Sequence, residues 1–395
     1  MIRTPTSEER AMTDPKSAAG AIDALLDRVL AGQRLVGVVV LILRDGEPFY
    51  SRAAGLADRE AGTPMALDTV FRLASMTKPI VSAATIALAE AGLLDLDDPV
   101  TAFLPEFLPS GPGGEEAVIT IRHLLTHTAG LSYGFLQEGE GVYRQAGISD
   151  GIDRPGISLA ENLRRIATVP LRFAPGSAWH YSLATDVLGA VLSAASGETL
   201  PEIVADRVTR PLGMTESAFV ATQQGRLATP YADAPAPGLV PVRMTDPFVL
   251  PQPEGGPLHF SPGRALDASA YASGGAGMVG TAADYMRFLE AVRLGGAPIL
   301  SPAGAAAFVA DAVQGMEIDL SGPGWGFGLG VGHLRDPAAA DTPARAGSWA
   351  WGGVYGTTFW VDPASRLSAV ALTNTCLEGT NGDFTREIVK AAYAL

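Results

Sequence analysis

With 395 residues and 47% hydrophobic content the chain can bury more than one substantial core, and about two to three domains are expected. A formal net charge of -14 argues against a nucleic-acid or anionic-membrane partner, because either needs a basic surface. The single cysteine, Cys376, excludes an internal disulfide framework and a cysteine-cluster metal site, and it fits a reducing compartment.

In chain order, residues 1–20 are polar, lack the apolar core of a signal peptide and read as a frayed leader, so the expected location is cytoplasmic. Ser17 to Gln33 has helical periodicity, with Ala21, Ile22, Leu25, Leu26, Val29 and Leu30 on one stripe. The Val-rich run from Val36 to Leu43, then Asp45-Gly46 and Glu47 to Ala54, predicts a hairpin whose first strand is buried on both faces. A short strand at Thr69 to Leu73 feeds an apolar helix that begins at Ser75, and Asp95 to Val100 is a polar turn. From Thr101 to about Ala270 strand signals thin out, and Glu161–Thr168, Ser182–Ala195 and Pro201–Thr209 read as helices. Residues 232–263, rich in Pro and Gly, read as a long irregular loop, a candidate for one wall of a cleft.

Strand character returns near the C-terminus. Gly324 to Gly332 alternates glycine with Trp325, Phe327, Leu329 and Val331, which predicts one strand with a bare face. Ala346–Ala350 reads as an edge strand, Thr357–Val361 and Leu367–Leu372 as an antiparallel hairpin, and Asp383–Tyr393 as a closing helix. The expected architecture is therefore α+β, with 21–95 and 271–395 forming one discontinuous domain and 96–270 a mostly helical insert. No window holds eighteen consecutive apolar residues, so no membrane-spanning helix is expected.

Chemistry concentrates at Ser75-Met76-Thr77-Lys78. Of 28 basic side chains only Lys16, Lys78 and Lys390 are lysines, and Lys78 stands three residues after a serine at a helix start. At i, i+3 the two polar atoms share a helix face, where an amine can act as base toward a hydroxyl and an always-charged Arg cannot. Bringing a Lys near neutrality takes roughly 4 to 5 kcal/mol of differential interaction, which desolvation can supply. Taken alone, the tetrad is short and common and reads first as an exposed Lys in a first helical turn.

Other patterns lack their context. Gly147–Gly151 matches G-x-S-x-G around Ser149, but no buried strand precedes it and a proline follows, so Ser149 is read as a turn residue. His123 and His127 have i, i+4 spacing without the glutamate of a zinc helix and are read as structural. Gly275–Gly280 fits G-x-G-x-x-G, yet no Val- or Ile-rich strand precedes it; it is read as a turn before a helix from Thr281. No metal or cofactor site is expected.

Two further stretches bear on Ser75. Tyr181-Ser182-Leu183 sits at a helix start, where a tyrosine hydroxyl can project into a cleft or equally pack in the core, and Trp351-Gly352-Gly353-Val354 either lets a substrate carbonyl approach backbone N–H groups or is a glycine-rich turn or bulge. Read with FRLASMTKP, HLLTHTAGL and SGGAGM in this order, from about residue 20 to 390, the chain resembles the serine β-lactamase and penicillin-binding-protein superfamily, specifically its family VIII carboxylesterases. The resemblance implies a β-lactamase/DD-peptidase-like fold, Ser75 as nucleophile, Lys78 and Tyr181 as the base pair, and the N–H groups of Ser75 and Val354 as the oxyanion hole. It also implies a substrate pocket that includes Trp351, Gly352, Gly353, Tyr133, Tyr355 and Leu183.

Where the β-lactamase pattern has Lys-Thr-Gly and Tyr-x-Asn, this chain has Trp351-Gly352-Gly353 and Tyr181-Ser182-Leu183. Loss of those charge-assisted contacts favours a small, neutral, short-chain ester over a β-lactam. A β-lactamase, a D-amino-acid-type peptidase or an acyltransferase would use the same residues, and a non-catalytic sensor is the reading from another class. The expected partner is a small-molecule ester, with the oligomeric state left open.

Overall fold

The computed structural model describes residues 15–394 except 140, 154, 155, 237 and 319, so most of the leader expected over 1–20 lies outside the described residues. The strands are β1 (Gly37–Arg44), β2 (Glu47–Asp58), β3 (Thr63–Pro64), β4 (Phe71–Arg72), β5 (Tyr231–Ala232), β6 (Val242–Arg243), β7 (Phe248–Leu250), β8 (Leu258–Phe260), β9 (Val279–Gly280), β10 (Trp325–Phe327), β11 (Gly332–Leu334), β12 (Trp349–Gly353), β13 (Thr357–Asp362) and β14 (Leu367–Thr373). The helices are α1 (Pro15–Ala31), α2 (Thr77–Glu90), α3 (Ile121–Leu125), α4 (Val142–Gln145), α5 (Leu159–Ile166), α6 (Ala184–Ser196), α7 (Leu200–Val204), α8 (Ala282–Arg293), α9 (Pro302–Val309) and α10 (Asp383–Ala392).

Both ends of the chain build one eight-stranded antiparallel sheet in the order β10-β11-β12-β13-β14-β1-β2-β3. Its centre is β1 against β14, with Val40 opposite Ala371. Val, Ile and Leu put apolar groups on both faces of β1, as a strand covered on two sides requires. Val38, Val40 and Ile42 meet Leu25, Leu26 and Val29 of α1 and Phe384 and Ile388 of α10. Val39 faces the opposite way, into the core shared with α2 and with Phe288 and Leu289 of α8. Each such side chain contributes about 1.5 to 3 kcal/mol on burial, which is why this alternation was readable in advance. The β1–β2 hairpin turns at Asp45-Gly46 with φ of 57° and 81°, the mirror-image turn that this dipeptide favours.

Four expectations are corrected. The single strand expected over 324–332 is a hairpin of β10 and β11; its reversal lies so close to α2 that a Cβ on Gly330 would fall 2.2 Å from Ser82 Oγ. The edge strand expected at 346–350 is β12, which begins later and lies inside the sheet between β11 and β13. The irregular loop expected over 232–263 contains the β5–β6 pair and the β7–β8 hairpin, two short local ladders inside Pro- and Gly-rich sequence. The helix expected to run to Thr209 is α7 followed by a wider, π-helical turn at Ala205–Thr209. Among the described residues no single helix is long and apolar enough to cross a membrane.

Candidate active site

Ser75 lies in a 3-10 turn, Ala74–Met76, that runs directly into α2. The turn is held from several sides: Leu73 N–H donates to Met278 O at 2.9 Å, Tyr285 Oη to Met76 O at 2.9 Å, and Met278 N–H to Thr77 Oγ1 at 3.1 Å. Ala74, just before the serine, has φ of 45°, a conformation that L-residues adopt only when their surroundings impose it.

Lys78 is fully buried one turn further on. Its Nζ contacts three oxygens: Ser75 Oγ at 3.1 Å, Tyr133 Oη at 2.8 Å and the Gly275 carbonyl at 2.9 Å. The nitrogen also lies 4.6 Å from the ring centre of Tyr181 and 5.2 Å from that of Tyr133. Burial lowers its pKa to about 7, against the opposing pull of Asp186. Tyr181 Oη donates to Ser75 Oγ at 2.7 Å, and burial raises the pKa of this phenol, so it is protonated at neutral pH. Tyr181 is backed by an aromatic wall, with His127 at 4.9 Å and Trp351 at 5.5 Å between ring centres.

The last residues of β12 close against the serine turn. A Cβ on Gly353 would lie 2.0 Å from Leu73 O, so only glycine lets the strand come this near. Thr357 Oγ1 donates to the same Leu73 carbonyl at 3.2 Å, and Thr380 Oγ1 to Gly353 O at 2.6 Å. Val354 follows directly and lines the same cavity as Ser75, Tyr133, Tyr181, Trp351 and Gly352, with a volume of about 460 Å³.

The other expected residues sort by position. Gly353 does not line the cavity; it sets the approach of β12. Leu183 is wholly buried at the N-cap of α6, in the core rather than in the lining of the cavity. Tyr355 also is not among the cavity's lining residues; its ring packs 5.0 Å from that of Phe260, in a separate apolar cluster. Ser149 is buried in a turn and donates to Asp153. His123 closes the capping box of α3 with Thr120, while His127 Nδ1 pairs with Ser182 Oγ at 3.2 Å. Among the described residues no group of His, Cys, Asp or Glu is arranged to hold a metal.

Three features escaped the sequence reading. Asp186, wholly buried in the first turn of α6, accepts from Gly275 N–H at 3.3 Å, and burial raises its pKa. The visible signal was one acid inside the apolar run ATDVLGAVL. The Gly275 carbonyl, in a segment read only as a turn, holds Lys78. Tyr133, read as a pocket aromatic, bonds the amine directly.

A family model described as Beta-lactamase matches residues 22–393. The chain belongs to the Beta-lactamase family. It is 49% identical over 387 residues to "Esterase EstB" of Burkholderia gladioli, covering 96% of each chain. Among solved structures it is similar to "EstCE1, a hydrolase with promiscuous acyltransferase activity", with TM-score 0.90, 42% identity and coverage of 96% and 99%. A penicillin-binding-protein homologue from Pyrococcus abyssi, 20% identical with TM-score 0.69 and coverage of 94% and 76%, shares the fold. The expected β-lactamase/DD-peptidase-like α+β fold is the fold this member of the family has.

Proposed function

We propose that the chain is a serine carboxylesterase that hydrolyses small neutral esters through an acyl-enzyme intermediate. The observation that carries this reading is Ser75 Oγ within reach of both Lys78 Nζ and Tyr181 Oη. A neutral amine has two N–H donors and one lone pair. Tyr133 Oη and the Gly275 carbonyl take the two donors, which leaves the lone pair for the serine proton. Lys78 is the base toward Ser75, and Tyr181, kept protonated by burial, is the acid toward the departing alkoxide.

Ser75 Oγ bonds to the ester carbon, and the carbonyl electrons move onto oxygen, which the N–H groups of Ser75 and Val354 stabilise. The tetrahedral species then expels the alcohol, which leaves with a proton from Tyr181, and the proton that Lys78 took from Ser75 passes to the Tyr181 phenolate, so both groups are restored. Water then attacks the acyl carbon, giving its proton to Lys78; Ser75 leaves with a proton from Tyr181 as the acid is released, and Lys78 again returns its proton to Tyr181. The esterase and hydrolase names of the two similar proteins support this chemistry, as does the indole of Trp351 where a β-lactam carboxylate would need an ammonium. Acyl transfer to an alcohol is the second reading: the same acyl-enzyme meets an alcohol instead of water in a cavity with aromatic walls. A cytoplasmic location belongs to the proposal and is supported by the single cysteine, Cys376, buried and donating to Asp233.

The test is labelling with a fluorophosphonate beside turnover of p-nitrophenyl butyrate and nitrocefin. The label is expected on the peptide containing Ser75, with the butyrate ester the better substrate by at least one to two powers of ten, the worth of a lost charge-assisted contact of about 1.5 to 3 kcal/mol. A label on Ser149, a stable adduct after one equivalent of ester, or faster nitrocefin cleavage would sink it. A second expectation concerns the oxyanion site. Gly353→Ala must push β12 and the Leu73 carbonyl apart, so kcat is expected to fall by about 10²- to 10³-fold, as when one oxyanion donor is misplaced, with little change in KM.

A further inference from the structure

The cavity at Ser75 is longer than a short ester needs. Its volume of about 460 Å³ is in the range that encloses a drug-sized molecule, roughly 300 to 1,000 Å³. Past Val354 it continues as an arm over the outer face of β12. Strand alternation turns Trp349 and Trp351 inward to the core of α2 and α8, and leaves Gly352 and Ala350 outward. Two small residues therefore form the floor, and Trp360, the β13 partner of Ala350, extends it. Thr385 and Val389 of α10 make one side, and residues 340–344 the other.

The cavity as a whole is lined by more apolar than polar surface, and Pro343, Ala344, Ala350, Trp360 and Val389 supply apolar groups in the arm. Lys390 and Arg386 at its far end are each held by an aspartate, Asp341 at 2.8 Å and Asp383 respectively, so neither is an uncommitted partner for an anion. Ser348, buried just before β12 and on the outward side, has an Oγ with no hydrogen-bond partner among the described residues. An oxygen on a bound chain would satisfy it.

We propose that this arm binds an extended, neutral, largely apolar chain or ring system attached to the ester, so that the preferred substrates are larger than the short esters that suffice for turnover. The inference rests on the esterase reading. The small floor residues are what keep the arm open, and a larger side chain on either wall closes it.

The experiment uses two matched series, p-nitrophenyl acetate to decanoate for the acyl side and methyl to decyl acetate for the alcohol side, with wild type, Ala350→Leu and Thr385→Trp. In one series wild type is expected to favour the long member in kcat/KM. Both variants are expected to lower that long-to-short ratio by about tenfold or more, mainly through KM, the effect of losing about two buried methylene contacts. The two substitutions lie on different elements, and Thr385 is on a partly exposed helix face, so it carries the test if Ala350→Leu fails to fold. Short esters turned over with an unchanged ratio in both series would overturn the arm and leave the esterase reading standing. Wild type inert to every ester, long and short, would overturn both.

Discussion

Ser75→Ala is expected to lower kcat for p-nitrophenyl butyrate by about 10⁴- to 10⁶-fold, the loss typical when the nucleophile of an acyl-transfer unit is removed. The alanine keeps the turn, because Ser75 contributes its side chain to Lys78 and Tyr181 and not to the bonds from Met278 and Tyr285 that hold the backbone. Substrate is therefore expected to bind with a similar KM. Because Lys78 and Tyr181 are proposed to serve only the acyl transfer that Ser75 begins, Ser75→Ala combined with Tyr181→Phe is expected to be no slower than Ser75→Ala alone. Steady-state kinetics of the single and double variants decide this. A further drop in the double variant, or loss of activity in Ser149→Ala, would mean that the nucleophile lies elsewhere.

Lys78→Arg is expected to cost about 10³-fold in kcat, within the usual range for a positioned acid or base, because guanidinium has no lone pair to offer near neutral pH. The wild-type pH profile should separate this from mere disturbance of packing. With a pKa of about 7, Lys78 loses its proton as pH rises through neutrality, so kcat/KM is expected to climb to a plateau with a midpoint near that value, and the climb should vanish in the Arg variant. The sign for stability follows from the same shift. Between the folded pKa of about 7 and the ordinary Lys value near 10.4 the unfolded chain binds more protons, so stability rises with pH. Below neutrality the full cost applies, roughly 4 to 5 kcal/mol for a shift of this size. Lys78→Met is accordingly expected to gain in Tm over wild type at about pH 6 and to lose most of that gain at about pH 9, measured by thermal unfolding. A flat difference across that range would remove the neutral-amine reading.

What could be read in advance follows from how locally each feature is encoded. The β1–β2 hairpin carries its own instructions, a Val-rich run and Asp-Gly, and Ser75 with Lys78 share one helix turn. The Tyr181–Ser75 bond was reachable only through the order of motifs along the chain, and the same order brought Val354 to the lining of the same cavity; nothing local announces either. The Gly275 carbonyl, which bonds Lys78, and Asp186, which accepts from Gly275 N–H and acts on Lys78 by its charge, were out of reach because those interactions are made across the fold. The error at 324–332 has a similar cause. Alternating glycine describes a strand with a bare face and a hairpin pressed against α2 equally well, and only the position of Ser82 distinguishes them. Leu183 and Tyr355 were misplaced because adjacency to a motif does not tell which way a side chain turns.

The pairing of β14 with β1 has a consequence for the order in which the enzyme becomes competent. Leu73 of the serine turn and Thr357 of β13, which bonds its carbonyl, are 284 positions apart. A chain leaving the ribosome presents Ser75 and Lys78 long before β12, and β12 finds its register only when β13 and β14 have followed. The contacts that bring β12 against the serine turn can therefore form only after the last strands have been made, so this side of the cavity is the last to be assembled.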